Sequence, residues 1–356
     1  MGAKNVFVPN LFFINKMYNH EKMKKTLIIL ILFMLSAPFI DALELKKVLE
    51  IGSNEREDYI FFQTGPIVVD KYGNIYAVEG ETQVIRKYDK TGKFVKKTGS
   101  KGQGPLEFMA ITSMAIQDER FLVYDFGNKR LSLYDLDLNL VRQGSLSGIR
   151  IHMAASKDYY IADTIGGSVY YIVFRKPFAE GVQGKAHESK PSIPEKFLSS
   201  ARAMAFFRHL FAVHPVSQQV VATYWTPTRG ELQLTFFDGV GNLLRRIDSE
   251  AIVPRYRIDE NRLDRATAAK VSGKIFWIYG IDWSDNKSLI VQYVYGRSEQ
   301  ERKNEMVKID ALSGRILGRK DLDGQFIMKC VRNGYVYGHI LDGEDAEIKI
   351  GVYAIE

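Results

Sequence analysis

The residues best equipped to bind or react are a scatter of arginines and a tryptophan: Arg150, Trp225 and Arg229 in WTPTRG, Arg255 and Arg257, and Arg297 in YGRSEQERK. Guanidinium groups beside an aromatic ring suit an anionic or carbohydrate-like ligand, or a loop of a protein partner. Nucleophilic chemistry has no comparable signature, because Gly-x-Ser-x-Gly and a Cys/His pairing are both missing from the sequence. Gly99-Ser-Lys-Gly-Gln-Gly104 has the glycine density of a phosphate loop, but no Lys-Ser/Thr follows it and no helix is expected after it. A connector is the better reading. His209 and His214 differ by five, so on one strand they point to opposite faces, which argues against a shared metal. His152 and His339 belong to different parts of the pattern and meet only if the fold brings them to its centre. Cys330 is the sole cysteine, so no internal disulfide forms, and its FIMKCV setting reads as a buried apolar thiol.

What must position these residues is a repeated unit of short strands. The first copy reads GPIVVD (65–70), IYAVEG (75–80), QVIRKYD (83–89) and KFVKKTGS (93–100); the second reads MAITSMAIQ (109–117), FLVYDFGN (121–128), KRLSLYD (129–135) and LDLNLVRQGS (136–145). Val, Ile, Tyr and Phe dominate each run, and Gly, Asn or Asp stops it before a stable helix could form. Asp89 and Asp135 stand 46 residues apart at matching places. That period suits one four-stranded propeller blade. A third copy starts at 148–153 and dissolves after Pro177, and EKFLSSARAMAFF (195–207) reads as a short helix. The fourth occupies 207–248, the fifth 274–322 and the sixth 325–355, with only three strands in the last. The missing strand is LKKVLEI near the other end. Pairing it with the last copy closes the ring and removes two exposed sheet edges. The expected fold is therefore an all-β, six-bladed β-propeller with four-stranded antiparallel blades; five or seven blades remain open because the third copy is irregular.

Two stretches carry a family resemblance. Tyr124-Asp-Phe-Gly-Asn-Lys-Arg130, followed by Leu-Ser-Leu-Tyr-Asp135, resembles the central segment of an NHL repeat, and Gly99 to Phe108 resembles the Gly-rich, Phe-terminated connector between blades of NHL-like six-bladed propellers of exported bacterial proteins. The resemblance covers the first two copies and fades beyond residue 165. It implies that Asp125 and Asn128 brace a turn. Six-bladed propellers that are metal-dependent lactonases or lyases gather carboxylate, Asn or His ligands at the channel mouth. By that analogy Glu79, Asp125 and Asp163, with Asn128 nearby, would hold Ca²⁺ or Zn²⁺.

Residues 1–42 stand apart from the repeat. Met23-Lys-Lys25, the apolar run from Thr26 to Leu35 and the small-residue tail Ser36 to Ala42 read as a secretory signal cut after Ala42. Met23 is an alternative initiator. The apolar run is much shorter than the roughly 20 residues of a membrane span, and the tail offers no cysteine for a lipid anchor. Five basic and two acidic side chains of the whole chain's 49 and 42 lie in this leader, leaving 44 against 40, a formal charge of +4. No basic block interleaved with aromatics points to nucleic acid. The sequence thus predicts an exported, periplasmic or extracellular monomer, residues 43–356, in one domain. Two functions stay open. One is a non-catalytic binding or scaffold propeller without cofactor, using the arginine and tryptophan set on its loop-rich face. The other is a metal-dependent propeller hydrolase or lyase.

Overall fold

The computed structural model describes residues 43–53, 55–146, 152–156, 158–166, 169–178, 184–189, 210–226, 231–250, 252, 276–295, 303–322, 325–342 and 347–356. Its strands follow in chain order. After β1 (Leu45–Ile51), blade one holds β2 (Ile67–Val69), β3 (Ile75–Glu79), β4 (Val84–Tyr88) and β5 (Phe94–Thr98). Blade two holds β6 (Ile111–Gln117), β7 (Arg120–Asp125), β8 (Arg130–Tyr134) and β9 (Leu140–Ser145). Blade three follows with β10 (Met153–Ser156), β11 (Tyr159–Gly166), β12 (Val169–Arg175) and β13 (Gly184–Ser189). Blade four has β14 (Leu210–Val213), β15 (Val220–Thr226), β16 (Glu231–Phe237) and β17 (Leu243–Asp248). Blade five has β18 (Phe276–Trp283), β19 (Ser288–Tyr295), β20 (Lys303–Asp310) and β21 (Ile316–Asp321). Blade six closes with β22 (Gln325–Arg332), β23 (Tyr335–Asp342) and β24 (Glu347–Ile355), and β1 pairs antiparallel with β24 as its outer strand. The result is a six-bladed propeller of four-stranded sheets, closed by its first strand.

The third- to fourth-strand turns show how local chemistry writes the repeat. The third strand ends in a buried apolar residue and hands over to an aspartate: Tyr88-Asp89, Tyr134-Asp135, Phe237-Asp238 and Ile309-Asp310. In each turn the aspartate Oδ1 accepts backbone N–H groups, from Thr91 and Lys93 (2.8 and 3.1 Å), Asp137 and Asn139 (2.9 and 2.8 Å), Val240 and Asn242 (3.1 and 2.7 Å), and Leu312 and Ser313 (3.2 and 2.7 Å). Three of these turns need a left-handed residue at the same place. Gly92 and Gly241 supply it, at φ +83° and +85°, whereas blade two uses Leu138 at +60°. That strain is held because the Leu138 side chain is buried in the seam with blade one.

Three of these turns are then gripped by the preceding blade. Lys87 Nζ donates to the Leu136 carbonyl (2.8 Å) and to Asp137 (2.9 Å). His187 Nε2 donates to Gly241 O (2.7 Å), and Arg245 donates to Ala311 O (3.0 Å) from above the Phe236 ring. The apolar cores lie at the seams and not inside single sheets. One joins β3 and β4 to β6, β7 and β8 through Tyr76, Val78, Phe108 and Phe121; another joins blades four and five through Leu234, Phe236, Trp283 and Tyr293. A sheet with two apolar faces needs a neighbour on each, so closure into a ring is what completes the core.

Blade three corrects the expectation that the pattern ends after Pro177. Gly184–Ser189 pairs with β12 as its fourth strand, with Ile172 opposite His187. Its sequence, GKAHES, has little β-propensity because it is an outer, mostly exposed strand; the His187 ring packing 4.8 Å from Phe237 ties it to blade four. The expected helix at 195–207 and the leader 1–42 lie outside the described residues.

Candidate functional site

The ends of the second strands and the connectors entering each blade share one face of the ring, and the buried carboxylates hold them together. Glu79 closes β3 and is wholly buried. Its carboxylate accepts N–H groups from Phe62 and Gln63 (both 3.1 Å) in the incoming connector, and from Glu81 (3.2 Å) and Thr82 (2.7 Å) in the next loop, plus the Thr82 hydroxyl (2.6 Å). Burial pushes its pKa up, but this shell of donors, Thr82 foremost, outweighs burial and leaves it below the ordinary carboxylate value.

Asp125 repeats the device in blade two. It is wholly buried at the end of β7 and accepts from Met109 N (3.2 Å), Ala110 N (3.0 Å), Asn128 N (3.2 Å) and Asn128 Nδ2 (2.7 Å). Asn128 Nδ2 also donates to Gly102 O (3.0 Å), and Arg130 donates to Gly104 O (2.9 Å) and to Glu107 O, while its guanidinium lies 3.6 Å from Asp125. Asp, Asn and Arg therefore act as one clamp on the connector from Gly99 to Phe108. Gly99 is required in that connector: φ is +89°, and a Cβ there would meet the Phe108 ring at 2.7 Å.

Asp163 is buried and lies inside β11, opposite Ile172, three residues before the strand ends. The three carboxylates thus occupy related places in three successive blades. Among the described residues, no group of three or more His, Cys, Asp or Glu side chains has the geometry to hold a metal ion. Of the arginine and tryptophan set, Trp225 is in β15 opposite Leu232, with its side chain outside the described residues. Arg150, Arg229, Arg255, Arg257 and Arg297 also lie outside them.

Inside the ring, the six innermost strands enclose a channel of about 650 Å³. His152 lines it, as do Thr112, Tyr279, Asp282, Lys329 and Arg332. His339 does not; it is buried at a blade seam and its Nε2 donates to Gly65 O (2.9 Å). Asp282 accepts N–H groups from Trp283 (2.8 Å) and Val331 (2.7 Å), and burial pushes its pKa up to about 6. Cys330 is half-buried beside it, and burial, with the Asp282 charge adding, raises its thiol pKa. That agrees with an unreactive thiol. Sequence reasoning passed over the polar channel residues because Lys329 sits within an apolar run, and Tyr279 and Asp282 within another.

Similarity to known proteins points the same way as the fold. Residues 63–165 match the DUF5128 family, described as a 6-bladed beta-propeller. That span covers blades one and two and the start of blade three, where the local repeat is most regular. No curated protein matches the chain in sequence. Among solved structures, a member of the DUF4221 family from Bacteroides vulgatus is similar at TM-score 0.56, with 11% identity over 89% of this chain and 99% of the other. A putative exported protein from Bacteroides fragilis is similar at TM-score 0.55, with 12% identity over 90% and 97%. Identity this low carries the fold and no more. The chain is a six-bladed β-propeller whose residues 63–165 are similar to the DUF5128 propeller family.

Proposed function

We propose that this protein is an exported, non-catalytic binding propeller of NHL-like type that acts as a monomer. It holds an envelope or extracellular protein, or an anionic or carbohydrate ligand, on the face formed by the second-to-third-strand loops and the blade connectors. The observation that carries the reading is the use made of Glu79 and Asp125. Their acceptor capacity is spent on backbone N–H groups of the connectors, which makes them braces of the rim. A braced rim presents loops on a rigid base, and binding function on a repeat fold resides in such loops. The candidate contacts are Trp225, Arg229, Arg297, Arg150, Arg255 and Arg257, whose types match the anchors that dominate interfaces.

Alanine at Trp225 together with Arg229 is expected to weaken cross-linked capture of a partner from envelope extract about tenfold or more. Alanine at Val216, on the opposite face of the ring, should leave capture intact. Mass spectrometric metal analysis of the same samples decides the competing reading. A stoichiometric Ca²⁺ or Zn²⁺ that disappears on replacing Asp125 or Asp163 by alanine would replace binding with metal-dependent hydrolysis or elimination.

A further inference from the structure

We propose that the central channel is a second binding site, for a small organic carboxylate whose charge is held by Lys329 and Tyr279. The reading begins with three breaks in the innermost strands. The ladder between first and second strands slips between Ile111 and Ser113 in blade two, between Ile278 and Gly280 in blade five, and between Met328 and Cys330 in blade six. The extra residues are Thr112, Tyr279 and Lys329. All three line the channel. The first strands of blades one, three and four pair without interruption. A bulge gives up ladder pairing and re-aims a side chain, and bulges concentrate beside functional sites.

Two of these residues are neighbours across a blade seam. Gly280, next to Tyr279, sits against Met328, next to Lys329: a Cβ at 280 would lie 2.8 Å from the Met328 methyl carbon. Tyr279 and Lys329 therefore line the channel from neighbouring positions on adjacent blades. Two further charged residues line the channel: Arg332, which donates to Val69 O of blade one (3.4 Å), and Asp282, which accepts two backbone N–H groups. Asp282 is the one acid on the wall among the described residues, against two basic residues, Lys329 and Arg332. The remaining wall is mixed: Val68, Ile116, Phe211, Val213 and Ile327 alternate with polar residues such as His152. A concave site with a few convergent polar groups is the usual form of a small-molecule site. One ammonium beside a hydroxyl suits a monoanion; a phosphate dianion calls for a denser set of donors.

The test is titration calorimetry of the purified protein with 4-phenylbutyrate, octanoate and indole-3-acetate, each beside its neutral primary amide. At least one acid is expected to bind ten times more tightly than its amide. Lys329→Met should lose that binding tenfold or more, and Lys329→Arg should keep it within about threefold. Capture on the loop-rich face should be unchanged in both variants, which separates this site from the proposed partner face. Equal affinity for acid and amide, no binding of any acid, undiminished binding by Lys329→Met, or displacement of the acid by inorganic phosphate would each overturn the proposal. If Lys329→Met does not fold, the acid and amide comparison on the unaltered protein, with Lys329→Arg, decides it.

Discussion

Alanine at Asp125 is expected to destabilise the protein by about 3 kcal/mol or more, the sum of several buried donors losing one acceptor at about 1–3 kcal/mol each. The carboxylate is wholly buried and serves Met109, Ala110 and Asn128, with the mostly buried Arg130 guanidinium 3.6 Å away. Those buried donors lose their shared acceptor, and Arg130 is left beside a methyl group. The informative comparison is Asp89→Ala. Asp89 makes similar bonds to Thr91 and Lys93, but in an exposed turn where water replaces the lost acceptor, so about 1 kcal/mol is expected. Urea unfolding at pH 7, with the slope checked for constancy, measures both. Limited proteolysis should also cut the Gly99 to Phe108 connector sooner in Asp125→Ala, because Asn128 and Arg130 hold it only while Asp125 orients them. If the two variants cost the same, the carboxylate is not a brace, and its place at the rim would need another explanation, metal ligation first.

The same contrast explains which parts of the molecule could be read from residues alone. Blades one and two were legible because their information is local: the aspartate that opens each turn, the tyrosine before it and the alternation of each strand lie within a few residues of one another. Ring closure by LKKVLEI followed from counting strands in the last copy, and β1 does pair with β24. The fourth strand of blade three was not legible. GKAHES has one ladder partner and an exposed outer edge, and what fixes it is His187 reaching a turn of the next blade. The bulges were hidden for a related reason. Whether Lys329 in FIMKCV is an ordinary strand residue or an inserted one depends on its pairing with β23, which no pattern within the run encodes. The clamp of Asp125, Asn128 and Arg130 was legible as a resemblance, and the contacts supply its mechanism. The braces could be located from sequence, whereas the channel lining requires the register of six separate strands.

His339 supplies the second large effect, one that depends on pH. Its ring is fully buried, Nε2 donates to Gly65 O, and Nδ1 has no hydrogen-bond partner among the described residues. A proton on Nδ1 would be an unpaired buried charge near Lys329. Burial, with the Lys329 charge adding, pushes the pKa down to about 3. In the unfolded chain the imidazole titrates near its ordinary value of about 6.5. Above that value both states are neutral and His339 costs nothing. As pH falls from about 6.5 toward 3, the unfolded chain takes up a proton that the folded protein refuses, so stability declines by up to about 1.4 kcal/mol per pH unit. Between pH 7 and pH 5 the loss from this residue is about 2 kcal/mol. Buried carboxylates held below their ordinary value, such as Glu79, lose stability only at lower pH, so they do not mimic the effect in this window. His214, whose pKa burial also lowers, contributes in the same direction. Glutamine at 339 should flatten the slope, because a neutral amide can donate to Gly65 O. Gln292 already does the equivalent at the seam of blades five and six, donating to Phe326 O (2.6 Å). Urea midpoints at pH 5, 6 and 7 for the unaltered protein and His339→Gln measure the difference. If both lose stability equally over that range, His339 is not the group that refuses the proton, and the seam of blades six and one tolerates a buried imidazolium.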